Sequence, residues 1–247
     1  MVLIFSLIAV LIVSLLSLVG VIVLILSDKI LKKILIFLVA FSAGSLMGGA
    51  FFHILPESMA LTNESLTVFV YLMIGFCLFF VLERILRWHH CHQVGCETHT
   101  HLGWINLFGD GVHNFLDGMI ILIAFSVNIE VGVAVTISII FHEIPQEIGD
   151  FGVLIYSGFS KFRALAYNFI SALTSFLGVF LAYFLVSSNV SLEAWLLPLA
   201  AGGFIYIGAS DLIPEIHKQH KFSSSIWSFL VFLLALVFMY IIKIIFD

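Results

Sequence analysis

Residues 105–157 read INLFGDGVHNFLDGMIILIAFSVNIEVGVAVTISIIFHEIPQEIGDFGVLIYS. Two apolar runs stand here, each long enough to cross the roughly 20-residue thickness of a bilayer, and each carries polar residues near its middle. The first holds DGVHNFLDG, in which Asp110, His113, Asn114 and Asp117 follow the i, i+3, i+4, i+7 spacing of one helical stripe. The second holds HEIPQEIGD, in which Glu143, Glu147 and Asp150 form a second stripe, with His142 and Gln146 one residue round from it. A lone carboxylate at mid-bilayer costs at least ~2.5 kcal/mol. Several on neighbouring spans repel one another unless a cation lies between them.

The rest of the chain has the same character. Of its 247 residues 62% are hydrophobic and 10% charged, with mean hydropathy +1.21. A soluble domain carries about 25% charge, so an ordinary soluble enzyme and a disordered chain are both excluded. The ten Lys and Arg are scattered rather than gathered in a basic stripe, which argues against a nucleic-acid partner. The expectation is an all-α integral membrane protein, one transmembrane domain over residues 1–247 in contact with the lipid bilayer. Its spans are placed at about 2–26, 34–57, 66–86, 105–127, 131–157, 163–187, 194–216 and 224–245. Runs this continuous are not the alternating strands of an outer-membrane barrel. The first segment has no basic residue before it and no small-residue cleavage site, and reads as a retained span.

Basic residues orient these spans. Nine of the ten Lys and Arg fall in the loops after spans one, three, five and seven, and Lys243 is the exception. The positive-inside rule puts those loops in the cytoplasm and both termini outside. The expected location is a plasma or inner cell membrane, crossed several times.

Residues 43–57, AGSLMGGAFFHILPE, align without a gap on residues 201–215, AGGFIYIGASDLIPE, at an offset of 158. Pro56 and Glu57 match Pro214 and Glu215, and Asp211 stands where the first copy has His53. The two copies lie on spans two and seven, which run in opposite directions. Chance likeness between small-residue segments is one reading. Duplication is the other, giving a 3+2+3 inverted repeat of spans 1–3 and 6–8, a hallmark of alternating-access transporters. His53, Glu57, Asp211 and Glu215 then become candidate entrance and exit residues. Gly44 and Gly48 form GxxxG, which serves either dimerisation or internal packing.

His113, Asp117, His142, Glu143 and Glu147 fall at about one depth. Imidazole nitrogens with carboxylate oxygens suit a borderline divalent ion: Zn²⁺ first, with Mn²⁺ and Fe²⁺ as alternatives. Asp110, Glu147 and Asp150 are placed to pass such an ion inward. In span six, Asn168 and Ser171 either add a ligand or hydrogen-bond neighbouring helices.

HNFLDG (His113 to Gly118) and HEIPQEIGD (His142 to Asp150) together resemble the ZIP family of divalent-metal transporters, in its branch with an HExPHExGD-like fifth helix. The resemblance implies a metal path between helices four and five and a double metal site near mid-membrane. It carries ligand roles to His113, Asp117, His142 and Glu143, with Asn114, Gln146 and Glu147 toward the second ion. Gln146 departs from the His or Glu that relatives carry, which weakens that second position. The resemblance also implies inward transport, Cd²⁺ among the tolerated ions, a homodimer, and motion of spans 1, 4, 5 and 6 against 2, 3, 7 and 8.

Residues 89–101, HHCHQVGCETHTH, hold five His and two Cys in thirteen positions. His89, His90, Cys91, His92, Cys96, His99 and His101 make this loop either a metal receiver or a tolerated linker. Two other functional classes compete with transport. HEIPQE begins like the HExxH of zinc hydrolases, although Gln146 replaces the second His. A metal-gated sensor that moves no ion is the other.

Overall fold

The structure is a computed structural model that describes residues 1–25, 28–62, 64–88, 100–188, 193–217 and 222–246. Among these residues all regular structure is helical. Eight helical spans are long and apolar enough to cross a membrane: Val2–Ile22, Ile34–Leu61, Ser65–Arg84, Asn106–Val127, Ile129–Ile155, Lys161–Val186, Ala194–His217 and Ser225–Ile245. They are called spans one to eight below.

The span boundaries fall within four residues of the sequence reading, and two of the shifts have a visible cause. Span two continues past Pro56 to Leu61. A π-helical segment, Gly49–Ile54, runs directly into the helix Leu55–Leu61, so the wider turn ahead of Pro56 accommodates a residue that cannot donate its N–H. Span five begins at Ile129 rather than 131, because the side chain of Asn128 accepts from the Val131 N–H at 2.8 Å and caps the helix.

The distribution of polarity is inverted relative to a soluble protein. Ile4, Ile8, Phe69, Phe180, Leu234 and many similar side chains face outward, whereas Asn114, Asp117, His142, Glu143, Glu147 and Asn168 are buried. That arrangement suits a hydrocarbon exterior and a polar interior.

Contact is most extensive between spans four and six, two and seven, two and eight, and three and seven. Small residues permit the closest approaches. The Gly44 and Gly48 backbone lies against Phe232, Ala235 and Met239 of span eight, so the GxxxG stripe packs inside the chain. Gly118 faces the Ser175 carbonyl, and Gly178 faces the Phe115 carbonyl, so spans four and six touch backbone to backbone. Hydroxyls tighten that seam: Ser171 Oγ donates to the Leu107 carbonyl at 3.0 Å and Thr174 Oγ1 to the Gly111 carbonyl at 2.6 Å.

A second π-helical segment occupies Ile207–Leu212 in span seven. It sits 158 residues after Gly49–Ile54, the offset at which the two sequence copies align, and each segment is followed by a proline-bearing turn. Lys243, the exception to the charge alternation, pairs with Glu130 at 3.0 Å between spans eight and five.

Candidate metal site

Span four places His113 and Asp117 one turn apart on the same face, and span five brings the neighbours His142 and Glu143 against them. One ligand atom from each of these four residues lies within 4.8 Å of every other. His113 Nε2 is 3.1 Å from His142 Nε2, 3.7 Å from Asp117 Oδ2 and 3.4 Å from Glu143 Oε1. His142 Nε2 is 3.2 Å from Asp117 Oδ2 and 3.4 Å from Glu143 Oε1.

These are five of the six edges of a tetrahedron. Bonds of about 2.0–2.1 Å from zinc to nitrogen and oxygen require ligand–ligand edges of about 3.3–3.4 Å. The observed separations of 3.1 to 3.7 Å bracket that value. Asp117 Oδ2 and both oxygens of Glu143 are buried and accept no hydrogen bond. Two carboxylates this close, screened by an effective dielectric near 20, repel by on the order of 3–4 kcal/mol. A divalent cation at the centre neutralises both and takes up their lone pairs.

The site has an orienting shell. His142 Nδ1 lies 3.2 Å from the Ser138 carbonyl, which accepts its N–H and turns Nε2 toward the cluster. Ser138 Oγ donates to the Ser45 carbonyl of span two at 3.1 Å, tying this turn to the neighbouring span. The Phe204 ring of span seven closes over the His142 imidazole at a centroid distance of 6.2 Å.

The other sequence candidates fall in separate places. Asn114, Gln146 and Glu147 lie outside the four-donor group, in an adjoining polar layer. There Asp110 Oδ1 accepts from Asn114 Nδ2 at 2.9 Å and from Gln146 Nε2 at 3.4 Å. Asp150 Oδ1 accepts from Asn106 Nδ2 at 3.0 Å, and Glu147 Oε2 accepts from Asn168 Nδ2. Each carboxylate of this layer is therefore held by a side-chain amide. His53 is buried with Nε2 3.0 Å from the Met239 carbonyl, and Glu57 accepts from Asn128 Nδ2 at 3.2 Å; neither joins the four donors. Glu215 is exposed near the end of span seven. The side chains of Asp211 and His101 lie outside the described residues, as do His89, His90, Cys91, His92, Cys96 and His99 altogether.

Sequence reasoning passed over Ser138, Asn106 and Phe204. Ser138 had one signal, its position four residues before His142. Asn106 had the same spacing before Asp110. Phe204 had none, because it arrives from a distant span.

Fold and donor set together describe a polytopic helical membrane protein whose core carries a ligand arrangement fitted to a divalent cation. A model of the ZIP zinc transporter family matches residues 1–103 and 87–243. The chain belongs to that family, which places it with transporters and not with enzymes. It is similar to zinc transporter zipt-7.1 of Caenorhabditis briggsae, at 27% identity over 277 residues, 84% of this chain and 71% of the relative. It is also similar to zinc transporter ZIP13 of Pongo abelii, at 28% identity over 224 residues, 85% of this chain and 67% of the relative. Zinc transporter foi of Drosophila melanogaster is 40% identical over 142 residues, covering 57% of this chain but 19% of the relative. Several relatives thus carry long regions with no counterpart in the matched part of this chain.

Proposed function

We propose that this chain carries Zn²⁺ across a cell membrane into the cytoplasm through the site between spans four and five. Mn²⁺, Fe²⁺ and Cd²⁺ are further candidate substrates. The observation that carries the reading is the tetrahedral convergence of His113, Asp117, His142 and Glu143 in a buried interior. Two imidazoles and two carboxylates cancel the charge of a divalent cation and match zinc in softness.

Passage requires that these ligands be given up one at a time, so that no intermediate is trapped. Glu147 lies one turn, about 6 Å, along span five from Glu143. Asp110 and Asp150 lie a further step toward the ends that the charge rule assigns to the cytoplasm. Their oxygens offer successive partners for a cation leaving the four-donor site. The receiving loop is residues 89–101. On the same rule both termini are extracytoplasmic, in a plasma or inner membrane, and the family resemblance is the support for a homodimer.

An inverted repeat relates spans 1–3 to 6–8 in this reading. Its support is the pair of π-helical segments at the repeat offset. Under that correspondence the contact of span three with seven becomes the contact of span eight with two, and both are extensive. Spans 1, 4, 5 and 6 then form the body that moves against 2, 3, 7 and 8. Hydrolysis has less support: Gln146, at the second His position of HExxH, donates to Asp110 and lies outside the four donors.

The test is uptake by purified protein in liposomes with a zinc-sensitive dye inside. Accumulation that saturates with external Zn²⁺ is expected. Zinc binding without accumulation would refute transport.

A further inference from the structure

The sequence left Asn168 and Ser171 of span six either as ligands or as bonds to neighbouring helices, and the structure shows what each touches. Asn168, on span six, is fully buried. It donates its side-chain N–H to Glu147 Oε2, making a direct hydrogen bond from span six to span five at the edge of the metal site. Span six is held for this task from its other face. Ser171 and Thr174, one to two turns along, bond to carbonyls of span four, and the Gly118–Gly178 crossing locks the two helices. Asn168 therefore has little freedom to follow Glu147 if that side chain moves.

Glu147 Oε1 and Asn168 Oδ1 are both buried and accept no hydrogen bond among the described residues. A hydrogen bond to one carboxylate oxygen fixes the plane of the group and so the direction of the other. Charge-assisted bonds of this kind are about twice as strong as neutral ones. The bond on Oε2 thus leaves Glu147 Oε1 as a buried carboxylate oxygen with no donor among the described residues. An oxygen in that state is satisfied by a cation.

We infer that Asn168 is a positioning residue for metal release: it holds Glu147 so that the free carboxylate oxygen takes the cation from the His113–Asp117–His142–Glu143 site. The inference rests on the transport reading above. It assigns span six a direct part in the second half of the path, after binding. Loss of the amide slows the exit step and leaves binding from outside unaltered. The four mid-membrane ligands do not include Asn168, so the equilibrium affinity for Zn²⁺ stays put while the maximal rate falls.

The experiment compares the unaltered chain with Asn168→Ala, Asn168→Asp, Glu147→Gln and the double variant Asn168→Asp/Glu147→Gln, all in dye-loaded liposomes. The double variant exchanges donor and acceptor, since the glutamine introduced on span five can donate to the carboxylate introduced on span six. Zn²⁺ affinity in detergent and thermal unfolding are measured alongside. Asn168→Ala and Asn168→Asp are each expected to lower the maximal rate about tenfold, with KM no higher than that of the unaltered chain and detergent affinity within about twofold of it. The exchange is expected to recover a rate above either of its single variants. An Asn168→Ala protein as fast as the unaltered one would overturn the inference. So would an exchange no faster than the slower single variant, or losses of rate, affinity and thermal stability in parallel, which mark a purely structural residue. If the unaltered chain accumulates no Zn²⁺, the transport reading falls and this inference falls with it. Uptake by the unaltered chain together with a fast Asn168→Ala removes this inference alone.

Discussion

Acid should weaken zinc binding, and the geometry bounds by how much. The Nε2 atoms of His113 and His142 are 3.1 Å apart. Two bare lone pairs at that separation repel, so in the metal-free protein at least one of these nitrogens carries a proton. Asp117 Oδ2 and Glu143 Oε1, 3.2–3.7 Å from the same nitrogens, offer acceptors for a second. His142 Nδ1 keeps its N–H on the Ser138 carbonyl throughout, so only the Nε2 protons are in play. A cation that uses both Nε2 lone pairs shifts the proton of a neutral His113 to Nδ1 without releasing it, and displaces one proton from each imidazole that is charged. The dissociation constant for Zn²⁺ therefore rises about tenfold per unit fall in pH for one proton and about a hundredfold for two. Over two pH units that is a loss of about 10²- to 10⁴-fold. Titration calorimetry in detergent, at stepped pH and in two buffers of different protonation enthalpy, counts the protons directly. The loop at 89–101 brings imidazoles of its own, so the relevant slope is the part lost in His142→Ala. A site-specific slope that stays near zero down to about pH 5, where unligated imidazoles are charged, would show that these imidazoles do not ligate the ion.

Three further outcomes follow from the packing and the site. His113→Ala and Glu143→Ala each remove one corner of the tetrahedron and should reduce liposome uptake at least a hundredfold while the protein still purifies as a folded species; near-normal rates in both would place the ion elsewhere. Gly178→Ala pushes a methyl group against the Phe115 carbonyl and should cost about 1–3 kcal/mol, read as unfolding in detergent several degrees below the unaltered chain. Deletion of 89–101 should lower the uptake rate at saturating Zn²⁺ if the loop receives the ion, and an unchanged rate and unchanged dependence on metal concentration would remove that role.

The spans were legible because continuous apolar stretches leave a membrane helix little alternative, and the alternation of Lys and Arg checked their number. The four donors were legible because each pair lies on one helix, within a turn or as chain neighbours. What escaped lies across helices. Nothing local in ALAYNFISA says that Asn168 reaches Glu147, and only the crossing of spans four and six at Gly118 and Gly178 sets that direction. Stripe logic put Glu143 and Glu147 on one face and set Glu147 among the inward carriers, but it did not show that Glu147 rests on an amide from another helix. GxxxG at Gly44 and Gly48 had two meanings in the sequence, and span eight occupies it. The π-helical segments were invisible to a 3.6-residue periodicity, although the repeat at offset 158 marked where they fall.

Zinc K-edge X-ray absorption on the protein loaded with one equivalent of Zn²⁺ tests the coordination at the centre of this account. Two imidazole nitrogens and two carboxylate oxygens at about 2.0–2.1 Å are expected, with the imidazole scattering reduced in His113→Ala. A first shell dominated by sulfur at about 2.3 Å, or a spectrum indifferent to His113→Ala, would contradict a cation held between spans four and five.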